Sequence, residues 1–397
     1  MSKKKTIRDI NLTGKTVLVR VDYNVPFRPG TTQISDDSRI QATLPTIRYL
    51  LERKCKVVLV SHQGRPNGQV VEEMRMKPVA ERLSALLGIN VIQAPGGVGS
   101  EVTRAVLALP PGGAAMLENI RFMPGEEKND PKLAAELASL ADVYVNDAFG
   151  TAHRAHASTE GVAHKLPAVA GLLMERELEM LGSALDPPKR PFTAIVGGAK
   201  VSDKSAVLDR LAQRVDAILI GGGMAATFLK ANGLSVGSSP VEDERVASTA
   251  KFMDRIRFGN TSLLLPVDVV VADAFAEKAH HKTLSAEKIA HGWRIMDIGP
   301  ETAALYELQI RKSQTVLWNG PMGVFEWEPF SHGTVRIAKA LAGLKGATTV
   351  LGGGSTAEAV EKLGLASKMT HVSTGGGASL EFLEGRTLPG VAALLDA

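Results

Sequence analysis

Lys200 and Lys204 follow the glycine pair Gly197-Gly198 in the stretch FTAIVGGAKVSDKSAVLDRLAQRV. Glycine lets backbone amides approach an anion closely, a helix start favours negative charge, and lysine adds a point charge; together these bind phosphate. Val207, Leu208, Leu211 and Val215 recur at helical spacing, with Ser202 or Asp203 placed to cap the first turn. Both lysines are therefore expected on one side of a helix start. The stretch is not a Walker A loop, because GxxxxGK[ST] is missing. Alone, it reads equally as a strand, a turn and a helix with two solvated lysines.

A second set of reactive residue types follows the strand-like runs of the first half. Val17–Val21 leads to Asp22 and Asn24, with Arg39 beyond in DDSRI; Val57–Val60 leads to His62 and Arg65 in SHQGRP. Ala115–Leu117 leads to Glu118, Asn119 and Arg121, and Val143–Val145 leads to Asn146, Asp147 and a loop with His153, Arg154 and His156. Open α/β sheets bind ligands beyond the carboxyl ends of their strands. Four arginines and a histidine gathered there predict a site for a small polyanion, since arginine meets phosphate and carboxylate with two parallel bonds. His62 alone reads equally as a neutral structural histidine. His280 and His281 read as an exposed pair, with no zinc-like spacing.

In the second half glycines replace arginines at the strand ends. Gly197-Gly198 is followed by Gly221-Gly222-Gly223, Gly352-Gly353-Gly354 and Gly375-Gly376-Gly377, each ahead of an expected helix. Four such starts point to a nucleotide-type ligand. Between them WNGPMGVFE offers Asn319 and Glu326 for ribose or phosphate bonds. A rival reading exists. Gly221-x-Gly223-x-x-Ala226 satisfies the dinucleotide fingerprint, and Glu242 follows at the distance of a ribose contact, which would suit an NAD-dependent dehydrogenase. Against it, another glycine–lysine strand precedes the fingerprint, and the arginine-rich sheet goes unexplained. A non-catalytic phosphate-binding module is a third reading.

These residues need a scaffold of alternating strands and helices, and the chain supplies one. Its 397 residues exceed one ordinary core and predict two domains. Hydrophobic residues at 44%, charged residues at 22% and 39 glycines suit an α/β protein with many tight turns. A net charge of +4 suits anionic ligands but is too mild for nucleic acid. Cys55 stands alone, so no internal disulfide framework forms. No signal-like segment opens the chain and no apolar run is long enough for a bilayer, so a cytoplasmic enzyme without membrane partners is expected. Ala170–Leu185 has an apolar stripe ending at Asp186-Pro187-Pro188-Lys189-Arg190-Pro191, the expected interdomain helix and hinge.

The ordered set VRVDYNVP, DDSRI, SHQGRP, MLENIRF, NDAFGTAHRAHAS, GGAKVSDK, LIGGGMA, WNGPMGVFE and STGGGASLEFLEG closely resembles the phosphoglycerate kinases. The resemblance runs from about Lys15 to the end. It implies two doubly wound, Rossmann-like parallel-sheet domains with an open cleft: residues 1–169 for phosphoglycerate, a 170–191 hinge, 192–377 for the nucleotide, and 378–397 returning to the first domain. It implies phosphoryl transfer between 1,3-bisphosphoglycerate and ADP. Asp22, Asn24, Arg39, His62, Arg65, Arg121 and Arg154 would hold the three-carbon acid. Lys200 would contact the phosphoryl group in flight, and Lys204, Gly198, Asn319, Glu326 and the Gly353-Gly354-Ser355-Thr356 turn the nucleotide. Gly221, Gly222 and Gly223 would flank the adenine. Arg39 and the helix start at Gly375 and Gly376 would complete a charge-neutralising cage. In the direction that phosphorylates 3-phosphoglycerate the acceptor is an ionised carboxylate, so no general base is required.

Two positions depart from the family pattern. Ser355 stands where an aspartate usually contacts Mg²⁺, so the cation is expected to be held by nucleotide phosphates and water. Ile295 stands where glycine is common and is expected to narrow the adenine pocket. A monomer is expected by resemblance.

Overall fold

A computed structural model describes residues 3–185 and 187–397, so Asp186 of the expected hinge lies outside the described residues. The chain divides into two compact units, one of Met1–Glu179 with Arg386–Ala397 and one of Met180–Gly385.

In the first unit the strands are Thr16–Arg20 (β1), Lys56–Val60 (β2), Val91–Gln93 (β3), Ala114–Met116 (β4), Val143–Asn146 (β5) and Ala168–Ala170 (β6). They form one parallel sheet in the order β3-β4-β2-β1-β5-β6. Parallel strands are covered by helices on both faces, which is why these runs are almost continuously apolar instead of alternating. Val17, Val19, Val57 and Leu59 pack with Ile40, Ile47, Val79 and Leu83 in one core. Strand order reverses between β1 and β5, and a crevice opens beyond the carboxyl ends at such a point. Residue 170 ends β6, paired with Asn146, so the linking helix begins at Leu172 instead of Ala170. Three short residues of small side chain left β6 without a readable pattern.

The second unit holds Phe192–Val196 (β7), Ala217–Ile220 (β8), Ser262–Leu264 (β9), Asp268–Ala272 (β10), His281–Ser285 (β11), Arg294–Ile298 (β12), Thr315–Asn319 (β13), Thr348–Gly352 (β14) and His371–Val372 (β15). Six of these make a parallel sheet in the order β15-β14-β13-β7-β8-β9, the dinucleotide-fold arrangement, with its reversal between β7 and β13. A separate antiparallel sheet, β11-β10-β12, was not foreseen. The helix after β7 spans Ser205–Leu211, so Lys200 and Lys204 precede it instead of lying in its first turn. Neither Ser202 nor Asp203 caps it, because Ser202 is engaged by Glu242.

The helix Gly377–Glu384 belongs to the second unit, and the returning segment is Arg386–Ala397. That segment is stitched to the first unit by Gly390 N–H to Ala152 O (2.9 Å), Leu395 N–H to Ala168 O (3.0 Å) and Lys5 N–H to Leu395 O (2.8 Å). Asn146 Nδ2 donates to Gly390 O, and buried Asp147 Oδ1 accepts from Leu173 and Met174 N–H at the start of the linking helix Leu172–Leu185. Among the described residues no helix is long and apolar enough to cross a membrane.

Candidate active site

In the first unit the polar residues do converge beyond the strands. Asp22 follows β1, and its Oδ2 accepts from Arg39 Nη1 at the start of the helix Ser38–Glu52. His62 follows β2 and lies with Nδ1 3.8 Å from Asp22 Oδ1. Asn24 Oδ1 accepts from Gly64 N–H (2.9 Å), shaping the turn that carries exposed Arg65. Arg121 follows β4 and donates from Nη1 to Gly64 O (2.7 Å), while its Nε is 3.3 Å from Glu127. Asn119 organises this corner. Its Oδ1 accepts from Gln63 and Arg121 N–H, and its Nδ2 donates to Gln63 O and Met74 O. Arg154 is half-buried in the loop after β5, with Nε 3.2 Å from His153 Nε2.

His62 is only 4% exposed, and burial with the charges of Arg20, Arg121, Arg154 and Arg39 drives its pKa well below the usual histidine value. It is neutral at physiological pH. His156 is brought down to about 4 by burial first and then by Arg121, Arg20 and Arg154. Neither histidine brings a positive charge to this site. Both lie in a field whose net positive charge comes from arginine.

Behind these residues is a layer that sequence reasoning missed. Arg20, the last residue of β1, is 1% exposed; its Nε donates to Ser158 Oγ (2.9 Å), Nη1 to Val21 O, and Nη2 to His62 Nδ1 (3.2 Å). Glu126, fully buried, accepts from Ser158 N–H (2.9 Å) and Ser158 Oγ (2.6 Å). The signal was present: an arginine inside the apolar run VLVRV cannot be buried unless a partner is buried with it.

In the second unit Lys204 and Asn319 meet where strand order reverses. Lys204 Nζ donates to Asn319 Oδ1, and burial lowers the lysine to about pKa 8. Asn319 Nδ2 is buried with no partner, close to Gly352 and Gly353. Lys200 is exposed. The glycines fall into two groups. A Cβ on Gly197 would press into Gly320 O, on Gly221 into Met322 Sδ, and on Gly222 to within 2.5 Å of Gly198 N. These three serve close backbone packing among the loops after β7, β8 and β13. Gly223 is tight against Ala199 O at 3.1 Å. By contrast a Cβ on Gly198 would meet only Lys204 Cε at 3.9 Å, and Gly354 and Gly376 face open space. Gly198 and Gly376 have φ of 105° and 51°, which L side chains rarely adopt. Gly375 N–H donates to Ser373 Oγ (3.1 Å) just before the helix Gly377–Glu384.

Other expected residues are occupied differently. Thr356 Oγ1 is buried and accepts from Gly320 N–H (2.7 Å), bracing the β13 loop. Ile295 packs in a small core with Ala226, Leu229, Val269 and Val271, and its N–H goes to Ser239 Oγ. Its branched side chain is taken up in packing, so its placement lends no support to a narrowed base pocket. Glu326 and Ser355 are exposed. Glu242 accepts from Val201 and Ser202 N–H and from Ser202 Oγ, pinning the loop that carries Lys200. A dehydrogenase would need that carboxylate for a ribose, and its fingerprint at β7, not β8. The dehydrogenase reading is not supported.

Comparison with known proteins points to one family. The profile described as phosphoglycerate kinase matches residues 7–386. A phosphoglycerate kinase of Chloroflexus aggregans is 57% identical over 99% of both chains, and one of Pelotomaculum thermopropionicum is 56% identical over 99% of both. The structure of phosphoglycerate kinase from Coxiella burnetii superposes with a TM-score of 0.88 at 42% identity over 98% of each chain. An arginine-rich sheet end on one unit and a lysine–asparagine pair at the switch point of the other thus accompany likeness along the whole chain, which belongs to the phosphoglycerate kinase family.

Proposed function

We propose that the chain catalyses reversible phosphoryl transfer from 1,3-bisphosphoglycerate to ADP, giving 3-phosphoglycerate and ATP. The observation that carries this reading is the cationic cluster beyond β1, β2, β4 and β5, in which Arg39, Arg121 and Arg154 surround a neutral His62. Such a cluster suits a small acid bearing a carboxylate and a phosphate. The complementary site in the second unit offers Lys204, Asn319 Nδ2 and open glycines at Gly198 and Gly354, with Gly353 against Asn319, to a polyphosphate. Gly221–Gly223 would lie beside the adenine, and Glu326 near the ribose.

The reaction then needs alignment and charge neutralisation, with no proton removed. Arg39, Lys200 and the helix start at Gly376 are assigned to the charge on the transferred group, while the Gly375 N–H, expected to share that role, is taken up by Ser373 Oγ. Transfer requires the two ligands within bonding reach, so turnover includes closure of the two units about the Leu172–Leu185 helix and the prolines after it. The expected working form is a cytoplasmic monomer.

Mg²⁺ belongs to this reading as part of the nucleotide substrate. Among the described residues no group of three or more His, Cys, Asp or Glu side chains could hold a metal. The helix Gly354–Lys362 has no acidic residue in its first turn, and Ser355 there is exposed. With no carboxylate at position 355 the cation is assigned mainly to phosphate oxygens and water, with Ser355 as at most a weak or water-mediated partner. Titration calorimetry of Ser355→Asp checks this: Mg-ADP should bind more tightly than to the native chain, and unchanged affinity would count against the role given to position 355.

A coupled assay of ATP formation tests the main reading. Lys200→Ala and Arg39→Ala should each lower kcat by about 10²–10³, the effect of deleting one preorganised charge donor, while circular dichroism stays native. Near-native rates in both would show the assigned roles to be wrong.

A further inference from the structure

We propose that Arg20 is a positioning residue which fixes His62 as the Nε2–H tautomer, so that the histidine meets the phosphoglycerate as a neutral hydrogen-bond donor. Two groups compete for His62 Nδ1. Arg20 Nη2 stands 3.2 Å away, and Asp22 Oδ1 stands 3.8 Å away, buried and without a hydrogen-bond partner of its own. A guanidinium has only donors, so its contact requires a bare Nδ1 lone pair and leaves the proton on Nε2. A carboxylate only accepts, so its contact would require a proton on Nδ1 and leave a lone pair on Nε2. The closer partner wins. Asp22 is drawn away by its ion pair with Arg39, which further weakens its claim on the ring.

The consequence for binding is a change of sign. With Nε2–H the ring offers a donor to an anionic oxygen; with a bare Nε2 it offers a lone pair that repels one. Arg20 cannot drift from this task. It is buried, with Nε on Ser158 Oγ and Nη1 on Val21 O, and Ser158 is held in turn by Glu126. The other charged groups that act on His62, namely Arg39, Arg121 and Arg154, are all cations that oppose a second proton on the ring. The inference rests on the phosphoglycerate reading of this site for its consequence, but the tautomer itself does not.

Nitrogen-15 correlation spectra of histidine-labelled native protein read the tautomer directly. His62 should show a protonated Nε2 and a bare Nδ1, unchanged between about pH 6 and 8. A protonated Nδ1 in the native protein would overturn the proposal whatever any variant does. Arg20→Met should release Nδ1 to Asp22 and move the proton, raising KM for 3-phosphoglycerate about tenfold or more, as loss of a hydrogen bond to a charged group implies. Arg20→Lys, which retains a donor and a charge, should keep the Nε2–H form and recover most of the affinity. An Arg20→Met protein that folds with its tautomer unchanged would refute positioning by Arg20. Failure of native protein to bind 3-phosphoglycerate, with the Nε2–H tautomer present, would instead refute the substrate reading.

Discussion

Lys204 gives the nucleotide site a proton count that can be measured. The residue is 8% exposed, and burial lowers its pKa from 10.5 to about 8. A polyphosphate set beside it restores the missing charge and raises the pKa again. Free protein is then about half protonated at this lysine at pH 8 and about one-tenth at pH 9, so binding should take up about 0.5 and about 0.9 proton respectively. ADP adds nothing of its own there, since the second ionisation of its terminal phosphate lies near pH 6. Titration of ADP in buffers of different ionisation enthalpy reads the uptake directly. Lys204→Met should abolish it and weaken ADP by about 10- to 100-fold, the loss of a charge-assisted bond. The same substitution bears on stability. A lysine with its folded pKa below its unfolded one destabilises the fold fully below about pH 8, and less as pH rises towards 10.5. Lys204→Met should therefore unfold at higher denaturant than the native chain at pH 7, by about 1–3 kcal/mol, with the gap closing by pH 10. Uptake near zero at both pH values, or uptake that survives in Lys204→Met, would refute the placement of phosphate beside this lysine.

Asp147 is an acid raised from 3.8 to about 6 by burial, offset in part by bonds to Thr46 and to the N–H groups of Met174 and Leu173. Because the folded state holds this proton more firmly than the unfolded chain, the group destabilises the fold increasingly from about pH 4 to pH 6, and fully above it. Asp147→Asn keeps an acceptor for the helix start and should gain about 1–3 kcal/mol over the native chain at pH 8 but nothing near pH 4 in urea unfolding; a larger loss at pH 8 than at pH 4 would contradict this. The two groups of glycines separate by substitution. Gly222→Ala, at φ 67° and 2.5 Å from Gly198 N, should lose about 1–3 kcal/mol. Gly354→Ala, facing open space, should leave stability within about 0.5 kcal/mol while weakening ADP in calorimetry, and the reverse pattern would undo the partition.

Much of the fold was legible because parallel strands are apolar along their whole length. The runs around Val17, Val57, Ala115 and Val143 all became strands within two residues of expectation. The polar residues just beyond them were legible for a related reason, since a sheet's carboxyl edge is where side chains escape the core. The antiparallel strands were not, because β11 reads HKTLS, exposed along most of its length, and gives no burial pattern to detect. Nor could sequence divide the glycines. Gly197, Gly221 and Gly222 look the same in a string as Gly198 and Gly354, but the first three admit neighbouring backbone and the last two leave space beside Lys204 and the helix start.

Lys204, Asn319 and Arg20 show the remaining limit. Each was visible as a residue type, but the meaning of each comes from a partner far along the chain. Lys204 and Asn319 meet only because strand order reverses between β7 and β13. Arg20 touches His62 only because β1 and β2 are neighbours in register, with Arg20 opposite Val60. A motif names the residues beyond a strand. Which of them bind and which hold the binders in place depends on strand order, and here that order assigns Asn119 and Glu126 to the second task although nothing in their local sequence separates them from the first, while for Arg20 the apolar run around it was the one local sign.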